Sequence, residues 1–236
     1  MMKRDRFFQF VRWLLAILIP IGLLIGAVSI LTSNAYVSFE YAKPGFPADA
    51  FGFSSADRLR HAIDTIQYLR NGYPASFLAE QYHDETPLYS EREISHMEDV
   101  QAVFQGTWTA GQIVLFLALI LAGILFVYRP YRPVIFAALE LGGTIAAAAV
   151  TIIGLLAVLG WNLWFTTFHQ LFFQPGTWTF AMSDTLIRLF PMNFWFDSAL
   201  TVTSITLISG LIVSMIGRYF RRRTSLLLPS TAAGQS

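Results

Sequence analysis

Four stretches of this chain are apolar and almost free of charge: about 13–32, 108–128, 134–160 and 198–217. At about 1.5 Å of rise per residue, a helix of about 20 residues crosses the roughly 30 Å hydrocarbon core of a bilayer. Only 13% of the residues are charged, against about 25% in a soluble domain. The reading is an all-α integral membrane protein, one membrane domain over residues 1–236, with four transmembrane helices. A helical extracytoplasmic insert, 33–107, separates the first helix from the second, and an aromatic segment, 161–197, separates the third from the fourth. The first span exceeds the roughly 7–15 apolar residues of a signal-peptide core, so it is expected to be an uncleaved anchor, with a kink at Pro20.

Charge orients the spans. Lys3, Arg4, Arg6 and Arg12 precede the first, Arg129 and Arg132 join the second to the third, and Arg218, Arg221, Arg222 and Arg223 follow the fourth. With four spans these flanks share one side, which the positive-inside rule makes cytoplasmic. Both termini are then cytoplasmic, and the insert and aromatic segment face the extracytoplasmic side of the membrane. The insert is acidic, with eleven Asp and Glu against five Lys and Arg. Basic residues lie at membrane edges and form no patch interleaved with exposed aromatics, so nucleic acid is not an expected partner. Leu226–Ser236 reads as a disordered tail.

Within the insert, Lys43-Pro-Gly-Phe-Pro47 is loop punctuation. A helix is expected from Ser54 or Ser55, with Leu59, Ala62, Ile63, Ile66 and Leu69 as its apolar stripe and Asn71-Gly72 as its stop. Pro74–Pro87 reads as loop with a short helical turn. A short separate helix follows over Ser90–Phe104, started by a capping box of Ser90 and Glu93. Its apolar stripe is Ile94, Met97, Val100, Gln101 and Phe104, and His96 borders that stripe.

Chemistry has few candidates. There is no cysteine, which removes thiol nucleophiles, disulfides and thiolate metal sites. No H-E-x-x-H spacing marks a metal site and no G-x-S-x-G marks a serine hydrolase; no metal and no cofactor is expected. The four histidines, His61, His83, His96 and His169, all fall on the outer side. His169 lies in Trp164-Phe-Thr-Thr-Phe-His-Gln-Leu-Phe-Phe173, where burial would keep its ring neutral. An interfacial histidine satisfied by a headgroup or carbonyl is the plainer reading of that position. His61, with Asp57 and Asp64 one turn either side, reads as surface pairing, and His83 as a loop residue without a role. Glu140, inside the third span, reads as structural. The residues alone give a topology and two candidate histidines, His96 and His169, and leave the reaction open: a lipid or lipoprotein hydrolase using these histidines on water and a non-enzymatic lipid-binding or scaffold protein both fit.

Four blocks narrow this choice: Tyr89-Ser-Glu-Arg-Glu-Ile-Ser-His-Met-Glu-Asp-Val100, Phe168-His-Gln-Leu-Phe-Phe173, Trp178, and Leu186-Ile-Arg-Leu-Phe-Pro191 with Phe194-Trp195. In these the chain resembles the bacterial lipoprotein intramolecular transacylase (Lit) family. The resemblance implies transfer of an acyl chain from the diacylglyceryl group of a lipoprotein to the α-amino group of its N-terminal cysteine, giving the lyso-form lipoprotein. The implied partners are a diacylglyceryl-modified lipoprotein and membrane lipids. The family's two essential histidines match His96 and His169. Glu93 or Asp99 would orient an imidazole, and Trp164, Phe168, Phe172, Trp178 and Trp195 would hold acyl chains.

Overall fold

In the computed structural model, residues 2–226 are described; the tail beyond Leu226 lies outside them. The chain divides into two compact units. Of the described residues, one comprises 2–25, 111–152 and 203–226, the other 26–110 and 153–202. Helices α1 (Met2–Leu31), α5 (Glu91–Val127), α6 (Arg132–Leu159) and α9 (Met192–Leu226) contribute residues to both. These four are long and apolar enough to cross a membrane. The short elements α2 (Asn34–Tyr41), α3 (Ser55–Asn71), α4 (Ser76–Ala79), a two-residue antiparallel ribbon of β1 (Tyr82–His83) and β2 (Thr86–Pro87), α7 (Trp161–Phe172) and α8 (Thr185–Leu189) all fall in the second unit.

The first unit is a helix-packing problem solved with glycine. A Cβ on Gly142 would lie 2.8 Å from the Ala16 carbonyl oxygen of α1. One on Gly143 would collide with Gly210 and Ser214 of α9, and one on Gly217 with Glu140 and Phe136 of α6. Without a hydrophobic drive between helices in lipid, such close backbone approach supplies the packing. Thr144 and Ser214 hydroxyls add a hydrogen bond of 2.9 Å. Glu140 is held by Arg221, whose Nε is 2.8 Å from its carboxylate. Phe8 stacks on Tyr131 at 3.6 Å, and the Tyr131 hydroxyl donates to Asp5 at 2.7 Å. The N-terminal helix therefore docks on the basic turn between α5 and α6. α1 runs unbroken through Pro20.

The second unit has a core of buried side chains from α2, α3, α5, α8 and the start of α9, among them Tyr36, Val37, Tyr68, Leu69, Met97, Leu189 and Phe194. α3 begins and ends as its sequence dictates. Ser54 accepts the Asp57 N–H, and Gly72 closes the helix in the left-handed region at φ 66°. Gln101 and Gln105 of α5 donate to the last carbonyls of α3, at 2.9 Å to Tyr68 and 2.7 Å to Leu69. This satisfies acceptors that the helix end leaves open. Asp49 and Arg188 meet in two hydrogen bonds of 3.0 Å, and Asp49 also accepts the Phe51 and Phe53 N–H groups. Burial opposes the charge on Asp49, but these four hydrogen bonds outweigh it and lower its pKa to about 2.

Several expectations change. The short helix at Ser90–Phe104 and the second apolar span are one helix, α5. Nothing between Phe104 and Trp108 stops a helix: Gln105, Thr107 and Trp108 continue it and Gly106 lacks a C-cap geometry. α9 starts six residues before the apolar span, at Met192, because Pro191 opens a helix from an N-terminal position. α2 and the ribbon at Tyr82–Pro87 had no periodic signal, being too short to show one. His61 is buried, not a surface pair. Asp57 turns instead to Arg60 at 3.1 Å and Ser54 at 2.6 Å.

Candidate active site

α7 carries one histidine and the start of α5 the other. The capping box forms: the Ser90 N–H donates to Glu93 Oε2 at 2.9 Å, the Ser90 hydroxyl to the same oxygen at 2.8 Å, and the Glu93 N–H to Ser90 Oγ at 3.4 Å. Glu93 does more than cap. Its other oxygen accepts the Leu186 N–H at the start of α8, at 2.8 Å. Thr185 donates its hydroxyl to the Leu88 carbonyl, and Arg92 reaches Asp184 at 3.1 Å. Three ties thus hold the segment after α7 against the first turn of α5 and the residues just before it.

That segment is shaped to return. α7 ends at Phe172, and Phe173 is extended at φ −130°, ψ 151°. Gly176, at φ 89°, makes the reversal that an L side chain would strain, and the Thr177 hydroxyl closes the turn on the Gln174 carbonyl at 2.9 Å. Trp178 then lands on His169, with ring centres 4.8 Å apart. Phe180 lands on His96 at 5.3 Å, with the Arg92 guanidinium 4.9 Å above it on its way to Asp184.

His96 and His169 flank one buried ring, Phe173, at 5.0 and 5.7 Å between ring centres. They are near enough for charges on the two imidazoles to repel. His96 is 8% exposed and its Nδ1 is buried without a hydrogen-bond partner. His169 Nδ1 lies 2.8 Å from the Phe165 carbonyl oxygen one turn earlier, and so donates to it. This assigns the tautomer: Nδ1 carries the proton and Nε2 keeps its lone pair. Burial lowers the His169 pKa, and the Phe165 hydrogen bond opposes that only in part.

The other residues singled out from the sequence divide. Asp99 is exposed and reaches His96 only as a field, one turn away. Glu93 is committed to Ser90 and Leu186, which leaves it a structural tie to the loop instead of a partner for an imidazole. Trp164 and Phe168 stack in series with Trp161, at 5.3 and 5.6 Å, and Phe172 continues the row at 5.0 Å. Phe168 and Phe172 are 41% and 44% exposed, so this face of α7 presents apolar surface outward. Trp178 faces the imidazole. Trp195 is set elsewhere, packed on Phe190 and Phe194. Sequence reasoning passed over Phe173, Phe180, Arg92 and Asp184. Phe173 stands one residue beyond α7 and four beyond His169, a spacing that could have flagged it; the others become neighbours only through the loop. Among the described residues, no three His, Asp or Glu side chains converge as metal ligands.

Four helices long and apolar enough to cross a membrane define a multi-pass membrane protein. The profile of the lipoprotein intramolecular transacylase Lit family matches residues 13–195, and the chain belongs to that family. An uncharacterized protein of Aquifex aeolicus (strain VF5) is 27% identical over 205 residues, which is 86% of this chain and 91% of that one. The fold is similar to the membrane-integral lipoprotein intramolecular transacylase Lit of Bacillus cereus. The TM-score is 0.73 at 15% identity, covering 94% of this chain and 99% of that one. A form of the same Bacillus protein with one histidine replaced by alanine matches at a TM-score of 0.64 and 14% identity, covering 94% and 97%.

Proposed function

We propose that His96 and His169 are the acid–base pair of an intramolecular acyl transfer within a diacylglyceryl-modified lipoprotein. As a member of the Lit family the chain is an acyltransferase of this class. The nucleophile is the α-amine of the N-terminal cysteine and the electrophile an ester carbonyl of the glyceryl group. The new C–N bond forms as the ester C–O bond breaks, the amine loses a proton, and the glycerol oxygen gains one. The products are an amide and a lyso-glyceryl group.

Each histidine fits a part. The lone pair of His169 Nε2 is free to take a proton, since Nδ1 is occupied by Phe165. His96 has a buried nitrogen with no partner in the fold, able to meet a polar substrate group. Donor and acceptor belong to one molecule, so orientation alone supplies much of the rate. The observation that carries the reading is the meeting of both rings on Phe173. The Trp164–Phe168–Phe172 row would hold acyl chains beside them. The site faces the extracytoplasmic side in this reading. Supporting that, the basic flanks at Arg4, Arg129, Arg132 and Arg218–Arg223 bound the four spans on the side that the positive-inside rule makes cytoplasmic.

Mass spectrometry of a lipoprotein's N-terminal peptide after incubation with the protein tests this. Wild type is expected to yield an N-acyl, lyso-glyceryl cysteine, and His96→Ala and His169→Ala to lower its rate by about 10²–10⁴-fold each, the usual reach of acid–base catalysis. Full product formation by both variants would rule the pair out.

A further inference from the structure

The two imidazoles handle protons, but the reaction also builds negative charge on a carbonyl oxygen. Stabilising that oxygen is commonly the largest single contribution in acyl transfer, and it takes a preorganised N–H or O–H donor. Arg92, whose guanidinium lies over the Phe180 ring that packs on His96, is turned to Asp184. The Leu186 N–H is taken by Glu93.

Trp178 is different. Its indole Nε1 is buried and has no hydrogen-bond partner. Indole N–H is a donor only, and an unmade bond to a buried donor costs about 1–3 kcal/mol. The ring lies 4.8 Å from His169, inclined at 35°, on the loop that Gly176 reverses and that Glu93 and Arg92 tie to α5. The loop that carries the donor is thus tied to α5 by backbone and ion-pair contacts before any substrate arrives, and its indole lies against the His169 ring. His96 Nδ1, across Phe173, is also unpartnered, and so is Trp161 Nε1, which is separated from His169 by the Phe165 ring whereas Trp178 lies directly against it.

We infer that Trp178 is a catalytic hydrogen-bond donor, its Nε1–H directed at the carbonyl oxygen of the ester under attack. The inference rests on the acyl-transfer reading above. In the tetrahedral adduct the carbonyl π electrons reside on that oxygen as the amine nitrogen bonds to carbon. Trp178 shares its hydrogen with the oxygen without giving it up, and the electrons return when the glycerol oxygen leaves. No proton is consumed at Trp178.

Trp178→Phe keeps an aromatic ring against His169 and removes the N–H. The expected result is a fall in kcat of about 10²-fold or more with KM within a few-fold of wild type, the pattern of a contact made chiefly in the transition state. A lipid-holding role would move KM and spare kcat. If the phenylalanine variant loses its fold, replacing Trp178 by β-(3-benzothienyl)alanine, which exchanges N–H for sulfur at constant shape, makes the same measurement. Unchanged kcat in a folded N–H-free variant overturns the donor role while leaving the histidine pair standing. Absence of product from wild type would instead overturn the acyl-transfer reading itself.

Discussion

His61 is 1% exposed, with its ring 5.6 Å from Phe53 and 5.6 Å from His83. Burial lowers its pKa to about 4, and the positive charge of Arg60 adds to the effect. The consequence for stability has a definite sign. Above about pH 6.5 the ring is neutral in both states and contributes nothing. Below it the unfolded chain takes a proton that the folded chain refuses until about pH 4. Stability therefore falls with pH across that window, by up to about 1.4 kcal/mol per pH unit. Unfolding in detergent micelles at pH 7 and pH 5 should show this loss in wild type and a smaller one in His61→Leu. Equal losses would mean that His61 is not kept neutral by the fold. Nothing in Asp57-Arg-Leu-Arg-His61 announces this burial. A histidine between two aspartates at helical spacing satisfies the rule for surface pairing, and the side that faces the core is chosen by Phe53 and His83, from other elements.

At the scale of elements, α6 and α9 meet through Gly143 and Gly210, with Ser214 and Thr144 hydroxyls alongside. A side chain at Gly143 must displace backbone, and backbone does not yield as a flexible side-chain end would. Gly143→Leu is expected to destabilise the protein by about 1–3 kcal/mol, read as a lower unfolding temperature in micelles. Gly123→Leu is the control, because a Cβ there meets nothing within 4 Å; equal loss in both would remove the packing argument. The small-residue character of the fourth span was legible in its sequence, and so was the start of α5 at Ser90. The length of α5 was not. A charged first half and an apolar second half read as two elements, yet helical hydrogen bonding continues wherever no residue interrupts it, whatever the solvent on either side.

For the whole molecule, the chain's lack of cysteine makes sidedness measurable. A single cysteine in place of exposed Tyr82, in the unit that holds the histidines, should react in intact cells with a membrane-impermeant maleimide. One in place of exposed Arg129, in the basic turn, should react only after lysis. The reverse pattern would invert the proposed orientation. The sequence by itself determined the four apolar helices, because hydrocarbon demands internally paired backbone over a fixed thickness. It also determined the capping box and both histidines as candidates, because those depend on neighbours within one helical turn. Only the tertiary structure decided that Glu93 reaches Leu186, that Phe173 lies between His96 and His169, and that an unpartnered indole N–H sits beside the second ring. Glu93 and Leu186 are 93 positions apart, and Phe173 and Trp178, though near His169 in sequence, take their places against the rings only through the loop that returns to α5. Their geometry depends on a loop reversal at Gly176 and on ties that local periodicity does not encode.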